Sequence, residues 1–227
     1  MIYTVISDYR KLIFDSCEES FLSSIKPELS EYIKKPNSEE QRLARLGGYL
    51  LLYRAVRFLF GREDFEIDFG ECGKPRFVSG GAAEGLSFNL SHSGGLCAVT
   101  VTDEAGEIGV DLQERIDDKR IERLKERFLN YESNALSSIE PIYLFGAFAP
   151  DGNCLFAGIP HQSLIKGDVV SEPTDSWSLT EAILKCDGRG FSARGEILKD
   201  TSPFSAETVR FNYKGVPYSV STVLKSF

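Results

Sequence analysis

Histidine is scarce in this chain: two occur in 227 residues, His92 and His161. That excludes a metal centre built on several imidazoles. The five cysteines (Cys17, Cys72, Cys97, Cys154 and Cys186) are odd in number and nowhere form a CxxC pair. Reduced, mostly buried thiols are the expectation. No apolar run approaches the ~20 residues that span a bilayer. The start, "MIYTVISDYRKLIF", lacks the basic and apolar regions of a signal peptide. The expected location is therefore the cytoplasm, with no membrane partner. Positive charge is also short: 26 Lys and Arg against 34 Asp and Glu give a net charge of −8. This argues against nucleic acid as a partner. The cations present are concentrated, however. Lys34, Lys35, Arg42, Arg45, Lys74 and Arg76 gather in the N-terminal half, which leaves an anionic ligand open.

What is present reads as alternating strands and helices. Residues 1–15 alternate like a strand, and 18–35 suggest short helices ending before Pro36. The run 37–60 is the best helix, with Asn37 or Ser38 as cap and Gly61 as stop. Gly47 and Gly48 each cost that helix ~1 kcal/mol relative to alanine, which suggests a close approach to its surface. "LSFNLSHS" and "LCAVTVT" predict a hairpin, and "EIGVDLQ" a third strand. A helix is expected over 117–139, with Asn130 as a candidate break. Residues 140–174, punctuated by four prolines (Pro141, Pro150, Pro160, Pro173), read as an irregular insertion. "FSARGEIL", "ETVRFNYKG" and "PYSVSTVL" read as three antiparallel strands. The expected fold is α+β, with two similar halves at 1–106 and 107–227.

Several residues could carry chemistry, each with a plainer explanation beside it. Alternation in "IGVDLQ" sends Asp111 and Gln113 to one strand face, the beginning of a site for a hard cation such as Mg²⁺. The plainer reading is an aspartate on the solvent side of an edge strand. Trp177, Glu181 and Lys185 share one helix face at i, i+4 and i+8. Glu181 could be a metal ligand or base, and Lys185 a phosphate ligand. Equally, Ser178-x-x-Glu181 matches a capping box, and Glu181 with Lys185 an ordinary i, i+4 pair. His92, between serines and ahead of Gly94-Gly95, suits a phosphate or a polar turn. His161 receives no role.

The order of these motifs is more specific than any one of them. "GKP" (73–75), "FNLSHS" (88–93), "GVDLQ" (109–113) and "WSLTEAILK" (177–185) with "GRGF" behind it resemble the motif series of the Sfp-type 4′-phosphopantetheinyl transferases. The resemblance covers roughly residues 30–195. It implies two α+β halves related by a pseudo-twofold, with coenzyme A in the cleft between them. It also implies transfer of phosphopantetheine to a serine of an acyl or peptidyl carrier protein, releasing adenosine 3′,5′-bisphosphate, by a monomer.

By the same resemblance, Asp111, Gln113 and Glu181 would hold Mg²⁺. Glu181 would also be the base, and Lys185 would neutralise the pyrophosphate. Ser91 and His92 would bind phosphates, and Gly73, Lys74 and Pro75 would lie along the adenine. Arg45, with Lys34 and Lys35, would meet the 3′-phosphate. Two positions depart from the series: Gln113 replaces a glutamate, and Thr180 replaces a lysine. They motivate an alternative, a homologue that binds coenzyme A or a carrier with little or no transfer.

Overall fold

The computed structural model of the chain describes residues 1–14, 16–70, 72–124 and 173–226, and the backbone of 140–141 and 154–156. Most of the expected insertion, the helix beyond Leu124, and His161 lie outside the described residues.

Strand β1 (Ile2–Asp8) ends sooner than alternation to residue 15 predicts. Asp8 Oδ1 accepts from the N–H of Arg10 at 3.1 Å and of Lys11 at 3.4 Å, a cap that starts α1 (Tyr9–Phe14). The short helices α2 (Glu18–Ser24) and α3 (Pro27–Lys34) follow. Helix α4 (Glu39–Phe60) has the predicted ends. Ser38 accepts from Gln41 N–H, and Gly61 closes the helix in the left-handed region at φ 61°. The hairpin β2 (Ile67–Phe69) and β3 (Pro75–Phe77) carries the Gly-Lys-Pro turn. Strands β4 (Ser87–Ser93), β5 (Leu96–Thr102) and β6 (Glu107–Glu114) stand where alternation predicts them.

After β6 come α5 (Asp118–Leu124), β7 (Glu140–Pro141), β8 (Cys154–Phe156) and α6 (Pro173–Asp187). "FSARGEIL" is not a strand. It forms a 3₁₀ turn, Phe191–Ala193, and a short helix, α7 (Arg194–Ile197). Adjacent Ile197 and Leu198 are both buried, which a strand with one wet face cannot arrange. The hairpin β9 (Phe204–Tyr213) and β10 (Val216–Lys225) ends the chain.

The fold is α+β, as expected. One four-stranded sheet has the order β4-β5-β1-β8 and the other β6-β10-β9-β7. All pairs are antiparallel except the short β7–β9 contact. Helix α4 covers one face of the first sheet, burying Val5, Phe88, Val99 and Val101. The other face, through Ile6, Leu96 and Ala98, packs on Val110, Leu112 and Val220 of the second sheet. Buried hydroxyls join the sheets as well: Thr4 Oγ1 lies 2.8 Å from Thr100 Oγ1 and 2.9 Å from Thr222 Oγ1. Helix α6 covers the far face of the second sheet, with Leu179, Ala182, Ile183 and Cys186 packed near Phe204 and Val223. No helix among the described residues is long and apolar enough to cross a membrane.

Strand β6 meets β4 without a ladder between them. Its backbone N–H groups at Val110, Leu112 and Glu114 donate to the side chains of Asn89, Ser91 and Ser93, each at 3.0 Å. Both series advance by two residues, so the polar face of one strand satisfies the open edge of the other.

Two glycines record close approaches. A Cβ on Gly47 would lie 2.3 Å from Tyr9 Cβ, where α1 crosses α4. At Gly109 it would lie 2.1 Å from Ala182 O, because α6 rests on β6 there. Gly48, by contrast, would meet only Leu90 Cδ2 at 4.0 Å. Gly109→Ala is therefore expected to destabilise the chain by about 3 kcal/mol, at the upper end for overpacking. Gly48→Ala should be neutral or stabilising by up to ~1 kcal/mol. Urea unfolding measures both, and equal midpoints for the two variants would contradict this packing.

Candidate functional site

A cleft of about 610 Å³ opens where α4, the Gly-Lys-Pro turn, the end of β4, β6 and α6 converge. Ten of the residues named from the sequence line it: Arg45, Gly73, Lys74, Pro75, Ser91, His92, Asp111, Gln113, Glu181 and Lys185. Lys34, the last residue of α3, and Lys35 after it are exposed and, against expectation, do not line it. Of the N-terminal cations, the cleft takes only Arg45 and Lys74, while Arg42 pairs with Glu18 and Glu39.

Asp111 is buried to 2 % exposure, beneath α6 rather than on a solvent face. Its Oδ1 accepts from Lys185 Nζ at 2.6 Å and from Ser91 Oγ at 2.9 Å. Ser91 Oγ in turn accepts from Lys185 Nζ at 3.0 Å and from Leu112 N–H at 3.0 Å. One donor and two acceptor positions exhaust a serine hydroxyl. A phosphate oxygen, which accepts, could therefore bond Ser91 only by taking the proton now given to Asp111.

The capping-box reading of Ser178 and Glu181 does not hold. Ser178 lies inside α6, fully buried, and its hydroxyl donates to Asp111 O at 2.9 Å. This ties the helix to β6 beside the carboxylate. Glu181 is left to face the cleft, with its carboxylate 3.9 Å from Lys185, which sits closer to Asp111. Thr180 is buried, donates to Ser176 O at 2.7 Å within its own helix, and does not line the cleft.

Electrostatics follow from this crowding. Burial, and then the nearby charge of Asp111, push the Glu181 carboxyl well above the ordinary glutamate range, against the pull of Lys185 and Arg120. Desolvation within the cleft, with the positive charges of Lys185 and Arg45, holds His92 below the ordinary imidazole value. Lys74 reaches across to β6 and α6, donating to Glu107 Oε2 at 2.5 Å and Cys186 O at 2.9 Å. The Arg45 guanidinium lies 4.0 Å over the Tyr32 ring and donates to Tyr32 O at 2.5 Å.

The donor set suits a hard divalent cation. Asp111 Oδ2 is buried without a hydrogen-bond partner, beside a second carboxylate. Gln113 Nε2 donates to Glu114 O at 2.9 Å, and its oxygen is the atom a cation would take. Among the described residues no group of three or more His, Cys, Asp or Glu could hold a metal alone. That is consistent with Mg²⁺, which takes few carboxylates and completes its shell with water and phosphate.

The cleft also contains Tyr32 and Arg120, which sequence reasoning passed over, and Phe191, which it quoted in a motif without a role. Phe191 stacks on Trp177 with centroids 5.9 Å apart. No periodicity marks these positions, because their neighbours come from other elements.

No family model matches the chain. Two curated proteins are similar to part of it, the 4′-phosphopantetheinyl transferases AcpT of Salmonella typhimurium (strain LT2) and of Salmonella typhi. Each is 42% identical over 73 residues, which is 32% of this chain. The match spans about a third (33%) of each relative's length.

The raised Glu181 carboxyl has a measurable consequence. A carboxyl whose pKa is raised by folding contributes stability that is present below its unfolded value and lost as pH rises through the folded one. Without divalent cation, the urea midpoint should therefore fall between about pH 5 and about pH 9, and Glu181→Gln should flatten that slope. Added Mg²⁺ should raise the midpoint at the alkaline end in the wild type more than in the variant. An unchanged slope in Glu181→Gln would exclude this carboxyl as its source.

Proposed function

We propose that this chain is a Mg²⁺-dependent 4′-phosphopantetheinyl transferase, moving the phosphopantetheine of coenzyme A onto a serine of an acyl or peptidyl carrier protein. One observation carries the reading. Motif residues from four separate stretches of sequence, together with Arg45, line a single cleft. The partial similarity to the AcpT proteins, which are named for this activity, points the same way. The pseudo-twofold relation of the halves belongs to this reading too.

In this proposal Arg45, held by the ring and the carbonyl of Tyr32, offers the 3′-phosphate a positioned guanidinium. Gly73, Lys74 and Pro75 lie along the adenine. The Lys74 ammonium is engaged by Glu107 and Cys186, so this turn contributes backbone and aliphatic stem rather than charge. His92, whose charged form is disfavoured by burial and by Lys185 and Arg45, donates one N–H to a phosphate oxygen, and Ser91 donates its hydroxyl there when it turns from Asp111 Oδ1. Lys185 then moves its charge from Asp111 to the diphosphate oxygens, where a mobile ammonium is suited to follow the ligand. Asp111, Gln113 and Glu181 would hold Mg²⁺, which when bound neutralises diphosphate charge and offsets that of the paired carboxylates.

The transfer forms a bond from the carrier serine oxygen to the phosphorus that bears pantetheine. The bond from that phosphorus to the bridging oxygen breaks, and its electron pair leaves with adenosine 3′,5′-bisphosphate. The serine proton passes to the carboxylate of Glu181. Thr180 lies outside the cleft lining, so the absence of lysine there removes no group from the described site.

Incubation with coenzyme A, Mg²⁺ and several apo carrier proteins should add one phosphopantetheine to the carrier, read by intact mass. Glu181→Gln should bind coenzyme A within a few-fold of wild type and lose about 10²–10⁴ in turnover. Coenzyme A binding without transfer to any carrier would instead establish the non-transferring homologue.

A further inference from the structure

The cleft contains a cation that no motif accounts for. Arg120 stands in the first turn of α5, a few residues beyond the strand that carries Asp111 and Gln113. Its backbone N–H is taken by Asp117 Oδ1 at 2.8 Å, which fixes the start of the helix without using the side chain. The guanidinium is exposed, lines the same cleft as Glu181 and Lys185, and has no hydrogen bond or ion pair among the described residues.

The other cleft cations differ in this respect. Lys185 is bound to Asp111 and Ser91, Lys74 to Glu107 and Cys186 O, and Arg45 to Tyr32. Each must give up or share a partner to meet an anion, whereas Arg120 gives up none among the described residues. Helix α5 follows β6, the strand of Asp111 and Gln113, which puts Arg120 on the carboxylate side of the cleft, where a diphosphate would lie, rather than on the Arg45 side. A planar guanidinium matches two phosphate oxygens in a way that a single ammonium does not.

We propose that Arg120 is a diphosphate-binding residue, closing over the ligand from α5 and supplying the second positive charge on the carboxylate side of the cleft. This rests on the reading of the cleft as a coenzyme A site. It assigns Arg120 to the diphosphate and leaves the 3′-phosphate to Arg45.

Calorimetric titration of wild type and Arg120→Gln with three ligands, in Mg²⁺ buffer, tests it. Coenzyme A carries both a diphosphate and a 3′-phosphate, 3′-dephospho-coenzyme A only the diphosphate, and adenosine 3′,5′-bisphosphate no diphosphate. The variant should lose roughly tenfold in affinity for the first two by a similar factor, and clearly less for the third. Arg120→Lys should recover part of that loss, since it restores charge but not the two-pronged geometry. The exposed position predicts an unchanged urea midpoint for both variants.

Undiminished affinity in Arg120→Gln overturns the proposal, and so does a loss confined to the ligands bearing a 3′-phosphate. If the wild type binds none of the three, the coenzyme A reading itself fails, an outcome distinct from a wild type that binds and a variant that binds equally well.

Discussion

The side chains of Asn89, Ser91 and Ser93 accept the edge N–H groups of β6, and the rest of the structure depends on that contact. An open sheet edge is costly to bury unpaired and invites pairing when exposed. Here a neighbouring strand satisfies it with side chains instead of backbone, so the two sheets meet without merging. Because the contact advances by two residues on each strand, register is fixed along its whole length. A slip by one residue would turn Asp111 away from α6 and toward the core between the sheets.

Ser91 joins that architecture to the chemistry. Its hydroxyl accepts from the Leu112 backbone, donates to Asp111 and accepts from Lys185. The bond that sets the relation of β4 to β6 therefore belongs to the same network that orients the carboxylate. Ser178, buried in α6, performs the matching task from the helix side by donating to Asp111 O. Together they hold one carboxylate where burial makes its charge expensive, with one oxygen paired and one unsatisfied. A site arranged in this way favours a positively charged occupant.

The acidic balance of the chain and the character of its cleft differ for the same reason. A net charge of −8 describes the whole surface, while the cleft collects Arg45, Lys74, Arg120 and Lys185 around two carboxylates. Anion binding depends on which cations the fold brings together and which remain available, more than on their total number. Arg42, close to Arg45 in sequence, is held by Glu18 and Glu39 and contributes nothing to the cleft.

Period and punctuation determined much of this protein locally. Ser38 and Gly61 bound α4, alternation set β4, β5 and β6, and helical spacing put Glu181 and Lys185 on one face. The ordered motifs were enough to select the residues that line the cleft, because those side chains belong to short segments whose conformation is local. Other features were decided only by contacts between distant segments. Asp8 turned an extended run into α1, and the paired burial of Ile197 and Leu198 made a short helix of an apparent strand. Ser178 was an interior anchor rather than a cap because α6 begins ahead of it, at Pro173. Arg120 and Tyr32 entered the site from helices whose own sequences give no sign of it. A sequence pattern reports which face of an element is apolar, but only the packed fold decides what stands opposite the polar one.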